Sequence, residues 1–410
     1  MDATLQCYAC GARYDTAERG RCSCGEPCWF ALDASDFTWP SDAAPAGMWR
    51  YTDLLPIDSP HGIGSTVGGT PLVRTKRLDD LGCRVFVKDE TRQPTGSFKD
   101  RGSAVGVAHA VANGTRWVGT VSHGNMATSM AAHAAALGLG CVVLVPADIP
   151  AERLVHVARY GPTIVRIDGD YGDCYEKSLS MGPELGIEFV NSDVPLRVAG
   201  QKTVALEILE AFAPSSPDAI VLPVSSGGQA SAVWKAFLEL DAAGLIDSVP
   251  RVYGVQSAGC DPIVRAFEAG SDRVSPIEPD ETVAYSIANA NPPSGTRVLA
   301  ALRETGGGTV AVTDEEILDA QDRLARDVGL CVEPASATVV AGVERLCSRG
   351  ALDSDEDVVL IATGTGFRES ARITSVVEAE ETLTKGIDEL RSTLESVIRR
   401  SSNRSDRFTV

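Results

Sequence analysis

The sequence has few of the features that mark membrane proteins and serine-type hydrolases. Only five of its 410 residues are histidine, 7 are lysine and 6% are aromatic. No apolar run approaches the ~18 residues that a transmembrane helix needs, so we expect no membrane span. So few histidines also leave no Ser/His/Asp arrangement to argue from. Acidic residues are abundant instead, since 56 aspartates and glutamates against 37 lysines and arginines give a net charge of −19.

The excess of acidic residues limits which partners the protein is expected to bind and in which compartment it is expected to work. An acidic chain repels phosphate backbones and anionic lipids, so neither nucleic-acid nor membrane binding is predicted. Few lysines with many acidic residues are typical of a high-salt cytoplasm, which indicates a halophilic source, with an acidic mesophilic enzyme as the alternative. The first residues carry neither a basic start nor an apolar segment, so we expect no signal peptide and a cytoplasmic protein. The length predicts two large domains plus smaller pieces.

Five of the 11 cysteines lie between Cys7 and Cys28. Cys7 with Cys10 and Cys22 with Cys24 form two close pairs, and four thiolates at this spacing suit a tetrahedral zinc site. Such a zinc would be structural, because four protein ligands leave no open position. The alternatives are a ribbon that keeps its shape without metal and a site in which Cys28 replaces one ligand.

From residue 84 onward, short β-branched runs alternate with longer Ala- and Leu-rich stretches. This alternation predicts an α/β fold with parallel sheets that are covered on both faces by helices. The predicted strands cover residues 85–87, 117–121, 141–145, 163–167, 219–224, 252–255 and 358–361. Amphipathic spacing predicts a C-terminal helix over about 380–398, followed by a polar, frayed end.

The most specific local motif is PTGSFKDRG over residues 94–102. Pro94 and Gly96 predict a tight turn after a strand, with a helix beginning near Ser97. Lys99 then lies in the first turn, where the helix dipole disfavours a cation and lowers the pKa of its ammonium group. A lysine with an accessible free amine suits Schiff-base formation with a carbonyl. An exposed lysine at a helix start is the alternative.

Three further loops follow predicted strands. The SHGNMATS loop over 122–129 presents a hydroxyl and an amide at a helix N-terminus, ready to bind an anion or an oxygen. The SSGGQAS loop over 225–231 predicts a nest of backbone N–H groups for an anion, while no dinucleotide or P-loop motif supports nucleotide binding. The ATGTG loop over 362–366 presents Thr363 after the last strand.

Together these motifs resemble those of fold-type II pyridoxal-phosphate enzymes of the tryptophan synthase β type, most closely the threonine synthases. The resemblance implies two doubly wound open-sheet domains and pyridoxal 5'-phosphate as cofactor, held by Lys99 as the catalytic residue. It implies a ribbon over 1–35, a large domain over 36–113 and 201–375, a small domain over 114–200, and a helix and tail over 376–410. The other cofactor contacts that it implies are Phe98, Asn125 on the phenolic oxygen, Thr363 beside the pyridine nitrogen, and Ser225, Ser226, Gly227, Gly228 and Gln229 around the phosphate.

The resemblance also implies a substrate site, formed by Ser122, His123, Asn191, Ser192 and Arg197, in which the last three hold a phosphate. Thr365 departs from the family pattern by replacing a histidine, and Ser225, Ser226 and Gln229 depart from it in the glycine-rich turn. Two further departures concern the substrate. His123 stands where threonine synthases carry threonine or serine, and Met126 replaces a threonine hydroxyl. Loss of a phosphate donor costs about 1–3 kcal/mol of binding. The departures leave open a divergent paralogue with another amino-acid substrate.

The reaction that the resemblance implies is that of threonine synthase, which converts O-phospho-L-homoserine and water to L-threonine and phosphate. A homodimer is expected with it. A related replacement or elimination enzyme, similar to cysteate synthase or to a threonine or serine dehydratase, is the first alternative. A non-catalytic regulator that binds pyridoxal phosphate is the second.

Overall fold

The alternating strand and helix pattern of the sequence folds into two open sheets and a small antiparallel ribbon. The computed structural model describes residues 4–15, 21–169 and 171–368. The predicted C-terminal helix and polar end lie outside these residues. Residues up to Gly366 belong to one compact unit.

Thirteen strands are present in the described part of the chain. They are β1 (Leu5–Cys7), β2 (Arg13–Tyr14), β3 (Cys28–Phe30), β4 (Leu72–Arg74), β5 (Arg84–Asp89), β6 (Trp117–Val121), β7 (Gly140–Pro146), β8 (Thr163–Ile167), β9 (Ile187–Phe189), β10 (Ala219–Pro223), β11 (Arg251–Ser257), β12 (Gly308–Val312) and β13 (Asp357–Ala362).

The α-helices of the described residues connect and cover these strands. They are α1 (Lys99–Ala112), α2 (Asn125–Ala136), α3 (Val155–Ala158), α4 (Tyr171–Leu185), α5 (Pro195–Gln201), α6 (Thr203–Phe212), α7 (Gly228–Ala242), α8 (Pro262–Glu268), α9 (Gly295–Glu304), α10 (Asp314–Arg323) and α11 (Pro334–Ser348). None of the described helices is long and apolar enough to cross a bilayer.

The larger sheet has six strands in the order β12-β11-β10-β13-β5-β4. All neighbours pair in parallel except β4, which runs antiparallel to β5 at the edge. Alternate residues of β13 point into opposite cores, as a strand buried on both faces requires. Val358 and Leu360 pack with α10 and α11, whereas Val359 and Ile361 pack with α6, α7 and α9.

The smaller sheet has four parallel strands in the order β8-β7-β6-β9. Its core contains the apolar face of α2, including Ala127, Met130 and Ala131, against Val118 and Val143. The predicted α/β class with two doubly wound open sheets is therefore confirmed. The predicted domain boundaries at residues 36, 114, 201 and 376 remain a prediction.

The cysteine-rich segment forms a three-stranded antiparallel sheet in the order β2-β1-β3. Its apolar face is continuous with the core around α1 and α5, because Leu5 and Phe30 share a cluster with Ala104, Val105 and Leu196. On its other side Trp29 packs edge-on against Trp234, with ring centroids 5.3 Å apart. The ribbon is thus packed onto the helix that begins with Lys99.

Candidate active site

A cavity of about 850 Å³ lies where the carboxyl ends of strands from both sheets meet. Ligands of open α/β sheets bind at such strand ends, because the connecting loops converge there. The loops after β5, β6, β10 and β13 all contribute to its wall. Twelve of the predicted site residues line it, namely Phe98, Lys99, Ser122, His123, Asn125, Ser192, Ser225, Ser226, Gly227, Gly228, Gln229 and Thr363.

Lys99 is the first residue of α1 and its amine faces the cavity. Its Nζ lies 4.3 Å from the centroid of the Phe98 ring. The pKa of Lys99 is lowered to about 7, first by burial and then by the charge of Arg197, while Glu333 acts in the opposite direction. The direction of the shift agrees with the prediction, and its largest cause is burial. At neutral pH a large fraction of this amine is therefore unprotonated.

Asn125 and Glu333 meet across the cavity. Asn125 begins α2, and its Nδ2 donates a hydrogen bond of 2.9 Å to Oε2 of Glu333. Glu333 is the N-cap of α11 and is buried, with 7% of its surface exposed. Both residues line the cavity beside Lys99. The Asn125 amide, which the resemblance assigns to the cofactor, is thus held by the carboxylate at the N-terminus of α11.

The turn after β10 forms a narrow backbone cradle. Gly227 has φ +90° and caps α7, a conformation that favours glycine. A Cβ atom on Gly228 would lie 2.3 Å from the carbonyl oxygen of Ser192. The first N–H groups of α7 have no acceptor within the helix. They lie at its N-terminus, which is the positive end of the helix dipole and borders the cavity. The side-chain Nε2 of Gln229 is buried without a partner. These donors fit a phosphate group.

Thr363 follows β13 and is held on both sides. Its Oγ1 lies 2.7 Å from Oγ of Ser336, and its carbonyl oxygen accepts a hydrogen bond of 3.0 Å from the backbone N–H of Phe98. Ser97 and Gly364 form a β-bridge beside this contact. The turn that carries Lys99 is therefore fixed to the end of β13.

The loop before α2 contributes Ser122 and His123 to the wall, and the first turn of α2 contributes Met126. Burial and the charge of Arg153 lower the pKa of His123, with Asp148 acting in the opposite direction, so the imidazole is neutral at neutral pH. Its Nδ1 is buried and has no hydrogen-bond partner. The two departures that concern the substrate therefore both face the cavity.

Arg197 and Asn191 do not line the cavity, although Ser192 does, so their contact with the substrate phosphate stays a prediction. Arg197 is fully buried, and its guanidinium donates to the carbonyl oxygens of Val190 at 2.8 Å and Lys99 at 3.2 Å. A Cβ on Gly102 would lie 2.4 Å from Arg197 Cγ, so this glycine allows the close packing. The amide of Asn191 is bound to the Val121 N–H and to Ser178.

Sequence reasoning missed several residues of the cavity wall. Arg21 reaches it from the ribbon, Asp173, Tyr175 and Glu176 reach it from α4, and the segment 285–293 closes the side opposite α2. No local motif marks these residues, since each reaches the cavity only through the tertiary fold. Proline and asparagine in the 285–293 stretch predict a loop but not its position.

A buried ionic network lies on the far side of α1 from the cavity. The guanidinium of Arg101 donates to Glu90 and Glu207 in four hydrogen bonds of 2.7–2.8 Å. Lys88 donates to Glu207 and to the carbonyl oxygen of Thr70, both at 2.7 Å. Two cations and two carboxylates balance, so the network buries no net charge. It fixes the helix that carries Lys99 against β5 and α6.

The four cysteines of the predicted metal site converge. The Sγ atoms of Cys7, Cys10, Cys22 and Cys24 all lie within 4.8 Å of one another. The Cys7–Cys24 and Cys10–Cys22 sulfur pairs are 3.6 and 3.5 Å apart. Zinc–sulfur bonds of 2.3 Å in a tetrahedron place sulfurs about 3.8 Å apart, so this donor set fits a zinc ion. Cys28 is buried outside this group of four.

Comparison with known proteins agrees with this geometry. The profile of the pyridoxal-phosphate-dependent enzyme family matches residues 63–364. The chain is 38% identical to the threonine synthase of Methanocaldococcus jannaschii, over 89% of this chain and 92% of that protein. It is 36% identical to the threonine synthase of Methanosarcina acetivorans over 95% and 98% of the two chains.

Solved structures with the same fold include maize serine racemase and the processed form of threonine deaminase isoform 2 from Solanum lycopersicum. The racemase superposes with a TM-score of 0.63 at 23% identity, covering 76% of this chain and 92% of its own. The deaminase superposes with a TM-score of 0.63 at 21% identity, covering 84% and 94%. At these identities the likeness concerns the fold alone. The match of the family profile and of the curated relatives establishes that the chain belongs to the pyridoxal-phosphate-dependent enzymes, within their threonine synthase group.

Proposed function

We propose that this chain is a threonine synthase that converts O-phospho-L-homoserine and water to L-threonine and phosphate, with pyridoxal 5'-phosphate as cofactor. The observation that carries the proposal is the amine of Lys99, whose pKa is lowered to about 7 at the wall of a cavity that also contains a glycine cradle. The identity of 36–38% to curated threonine synthases over most of the chain supports the choice of reaction.

Different residues of the cavity would bind different parts of the cofactor. Lys99 would hold it covalently, the turn over 225–229 would bind its phosphate, and Asn125 and Thr363 would contact opposite edges of its ring. When bound, pyridoxal phosphate supplies an electron sink that acidifies the protons of the substrate next to the amino group. Thr363 is a neutral hydroxyl, which leaves the ring a weaker sink than a carboxylate partner would.

Lys99 is the group that moves protons in this reaction. A half-neutral amine accepts a proton from Cα and later one from Cβ, and returns protons to Cα and Cγ. The Cγ–O bond breaks as phosphate leaves. Water then gives its hydroxyl to Cβ, and its remaining proton is taken up by the phosphate, so atoms and charge balance.

The test is to measure phosphate release and threonine formation from O-phospho-L-homoserine by the purified protein at high salt. We expect equal amounts of the two products, and none with Lys99→Ala. Arg13→Ala, a change on the exposed edge of the ribbon, serves as the matched control and keeps full activity. Absence of threonine with the loaded wild-type protein would refute the proposal.

A second candidate is a replacement or elimination enzyme that acts on another amino acid. The observation in its favour is that His123 and Met126, the two departures that concern the substrate, both face the cavity. Phosphoserine with sulfite, free threonine and free serine are therefore assayed in parallel. Turnover of one of these without threonine synthesis would establish this candidate, and turnover of any substrate excludes a non-catalytic regulator.

We further propose that Cys7, Cys10, Cys22 and Cys24 hold one structural zinc ion. The support is the convergence of the four sulfurs and the pairing of two buried with two exposed thiols. The metal content of the purified protein tests this, with one zinc per chain expected. Cys24→Ser should lose the metal and melt at a lower temperature, whereas Cys174→Ser should keep it. Zinc-free wild-type protein with an unchanged melting temperature would refute the site.

The remaining proposals concern assembly and environment. We infer a homodimer that works in a cytoplasm of high salt. The net charge of −19 supports the high-salt environment, because screening by salt removes the repulsion between the acidic side chains. Light scattering after gel filtration tests the dimer, and the melting temperature as a function of salt tests the adaptation. A monomer, or stability that falls with added salt, would contradict them.

A further inference from the structure

The turn over 225–229, which forms the cradle, rests against the first turn of α9. Ser294 is the N-cap of this helix, and its backbone N–H donates a hydrogen bond of 3.0 Å to the carbonyl oxygen of Ser226. A Cβ atom on Gly227 would lie 2.9 Å from the Ser294 carbonyl oxygen and 2.8 Å from Cγ2 of Val298. Gly227 is therefore in direct contact with α9, so the position of Ser294 fixes the back of the cradle.

Arg297 holds the side chain of Ser294 from within the fold. Its Nη2 donates a hydrogen bond of 2.9 Å to the Ser294 hydroxyl, which in turn donates to Oδ2 of Asp193 at 3.0 Å. Neither Ser294 nor Arg297 lines the cavity, whereas Ser226 and Gly227 do. The hydroxyl is thus held between a cation and a carboxylate, one layer behind the cradle.

The other contacts of Arg297 are with the cysteine ribbon. Its guanidinium carbon lies 5.9 Å from the centroid of the Tyr8 ring and 5.7 Å from that of the Trp29 ring. A longer contact of 3.5 Å joins Nη1 to the carbonyl oxygen of Cys28. Trp29 also packs against Trp234 of α7, the helix that begins at the cradle. The ribbon therefore contacts both α7, which carries the cradle, and the arginine of α9 that supports it.

The position of Arg297 is unfavourable for a cation. The side chain is fully buried, its Nε has no hydrogen-bond partner, and its other donors go to a hydroxyl and a carbonyl oxygen rather than to a carboxylate. It also lies in the first turn of α9, where the helix dipole disfavours positive charge. Packing alone does not account for such a residue, because an apolar side chain would be buried there at lower cost. A cation behind the cradle does account for it, since it attracts a dianionic phosphate across a region of low dielectric constant.

We propose that Arg297 is a positioning residue for the cofactor phosphate, so that the ribbon takes part in holding the cofactor through this arginine. The inference rests on the proposed function for the identity of the group that the cradle binds. Arg297 acts in two ways, since it fixes Ser294 against Gly227 and its charge stabilises the phosphate without contact. Both effects reach the phosphate and not the ring of the cofactor, so they are confined to ligands that carry a phosphate.

The experiment compares the binding of two ligands to the apoprotein at one fixed, high salt concentration. Pyridoxal 5'-phosphate and pyridoxal both offer an aldehyde to Lys99, but only the first has a group for the cradle. We expect Arg297→Gln to weaken the binding of pyridoxal phosphate about two- to thirtyfold and to leave the binding of pyridoxal unchanged. Arg297→Lys keeps the charge, so its effect should be smaller. Fluorescence titration measures each affinity.

Three further variants complete the test. Ser294→Ala removes only the hydroxyl that Arg297 holds, so it shows the same preference for one ligand even where Arg297→Gln fails to fold. Tyr8→Leu removes one of the two ribbon rings beside the guanidinium and should also weaken pyridoxal phosphate alone. Arg303→Gln, at the other end of α9 with the exposed Asp272 as partner, is the matched control and should leave both affinities unchanged.

A merely structural arginine would affect both ligands alike. Equal weakening of the two ligands by Arg297→Gln, or unchanged binding of pyridoxal phosphate in Ser294→Ala, would therefore overturn the inference. Unchanged binding in Tyr8→Leu would overturn the part assigned to the ribbon. The proposed function is tested separately by turnover. A protein that binds pyridoxal phosphate through Arg297 but makes no threonine would refute the reaction and leave the positioning role standing.

Discussion

The amide of Asn125 and the carboxylate of Glu333 are joined by a 2.9 Å hydrogen bond that connects α2 to α11 across the cavity. The bond brings a buried carboxylate close to the amine of Lys99, and this carboxylate raises the pKa of Lys99 against the larger effects of burial and Arg197. Glu333 thus partly offsets the two effects that make the lysine neutral.

Replacing Glu333 by glutamine should lower the pKa of Lys99 below its value of about 7. The neutral amine is the form that reacts with a carbonyl, so the rate of cofactor loading rises with pH and levels off above the pKa. We expect the midpoint of the loading rate near pH 7 in the wild-type apoenzyme and at lower pH in Glu333→Gln. The absorbance of the bound cofactor measures this rate. Glu315→Gln, on the exposed face of α10, is the control. A midpoint that does not move would show that Glu333 does not act on Lys99.

Adding a methyl group to the cradle should impair cofactor binding. The Cβ of Gly228→Ala would lie 2.3 Å from the Ser192 carbonyl oxygen, so the turn must open. We expect the affinity for pyridoxal phosphate to fall about ten- to a hundredfold, the equivalent of about 1–3 kcal/mol for an overpacked contact. Gly308→Ala in β12 meets no atom closer than 3.6 Å and should bind normally. Equal affinities in equilibrium dialysis would contradict the cradle.

Removing Arg101 should destabilise the fold far more than removing an exposed arginine. Arg101→Met leaves Glu90 and Glu207 buried with only Lys88 as a counter-charge, which costs about 3–5 kcal/mol of unfolding free energy. Arg84→Met breaks a half-exposed pair with Asp357 and should cost under about 1 kcal/mol. Urea denaturation measures both. Similar losses in the two variants would mean that the buried network does not stabilise the fold.

His133 should make the protein less stable in acid. Burial and the charge of Arg197 lower its pKa to about 4, whereas an unfolded histidine has a pKa of about 6.5. Between these values the unfolded chain binds the additional proton, so stability is lost as the pH falls through this window, by up to about 1.4 kcal/mol per pH unit. His133→Asn should reduce the loss between pH 7 and 5, measured by urea denaturation. His61→Asn, a change at a partly exposed position, should not.

The sequence predicted the site best where functional residues follow a strand along the chain. The turn over 225–229 and Thr363 each come within a few residues of a β-branched run, Lys99 follows the end of β5 by ten residues, and parallel strands bring their carboxyl ends to one edge. Local order therefore predicts that these residues meet. The strands that were missed, β9 and β12 among them, are short or begin with glycine, and the antiparallel edge strand β4 has three residues.

The sequence was least informative where a side chain's direction depends on contacts distant in sequence. Arg197 packs against Gly102 of α1 and donates to backbone carbonyl oxygens, contacts that its motif does not indicate. Arg21 carries no motif of its own, and its place in the cavity follows from the packing of the ribbon on α1 and α5. The spacing of residues along the chain predicts neither the orientation of Arg197 nor the position of Arg21.

The central position of β13 in the larger sheet also constrains when the site can form as the chain is synthesised. This strand lies between β10 and β5, although it follows them by more than a hundred residues. Until the ribosome has released residues 357–362, β5 and β10 have no common neighbour, and the turn of Lys99 has no Thr363 to hold it. A nascent chain that stops before residue 357 therefore lacks the strand that joins β5 to β10 and the residue that fixes the turn of Lys99.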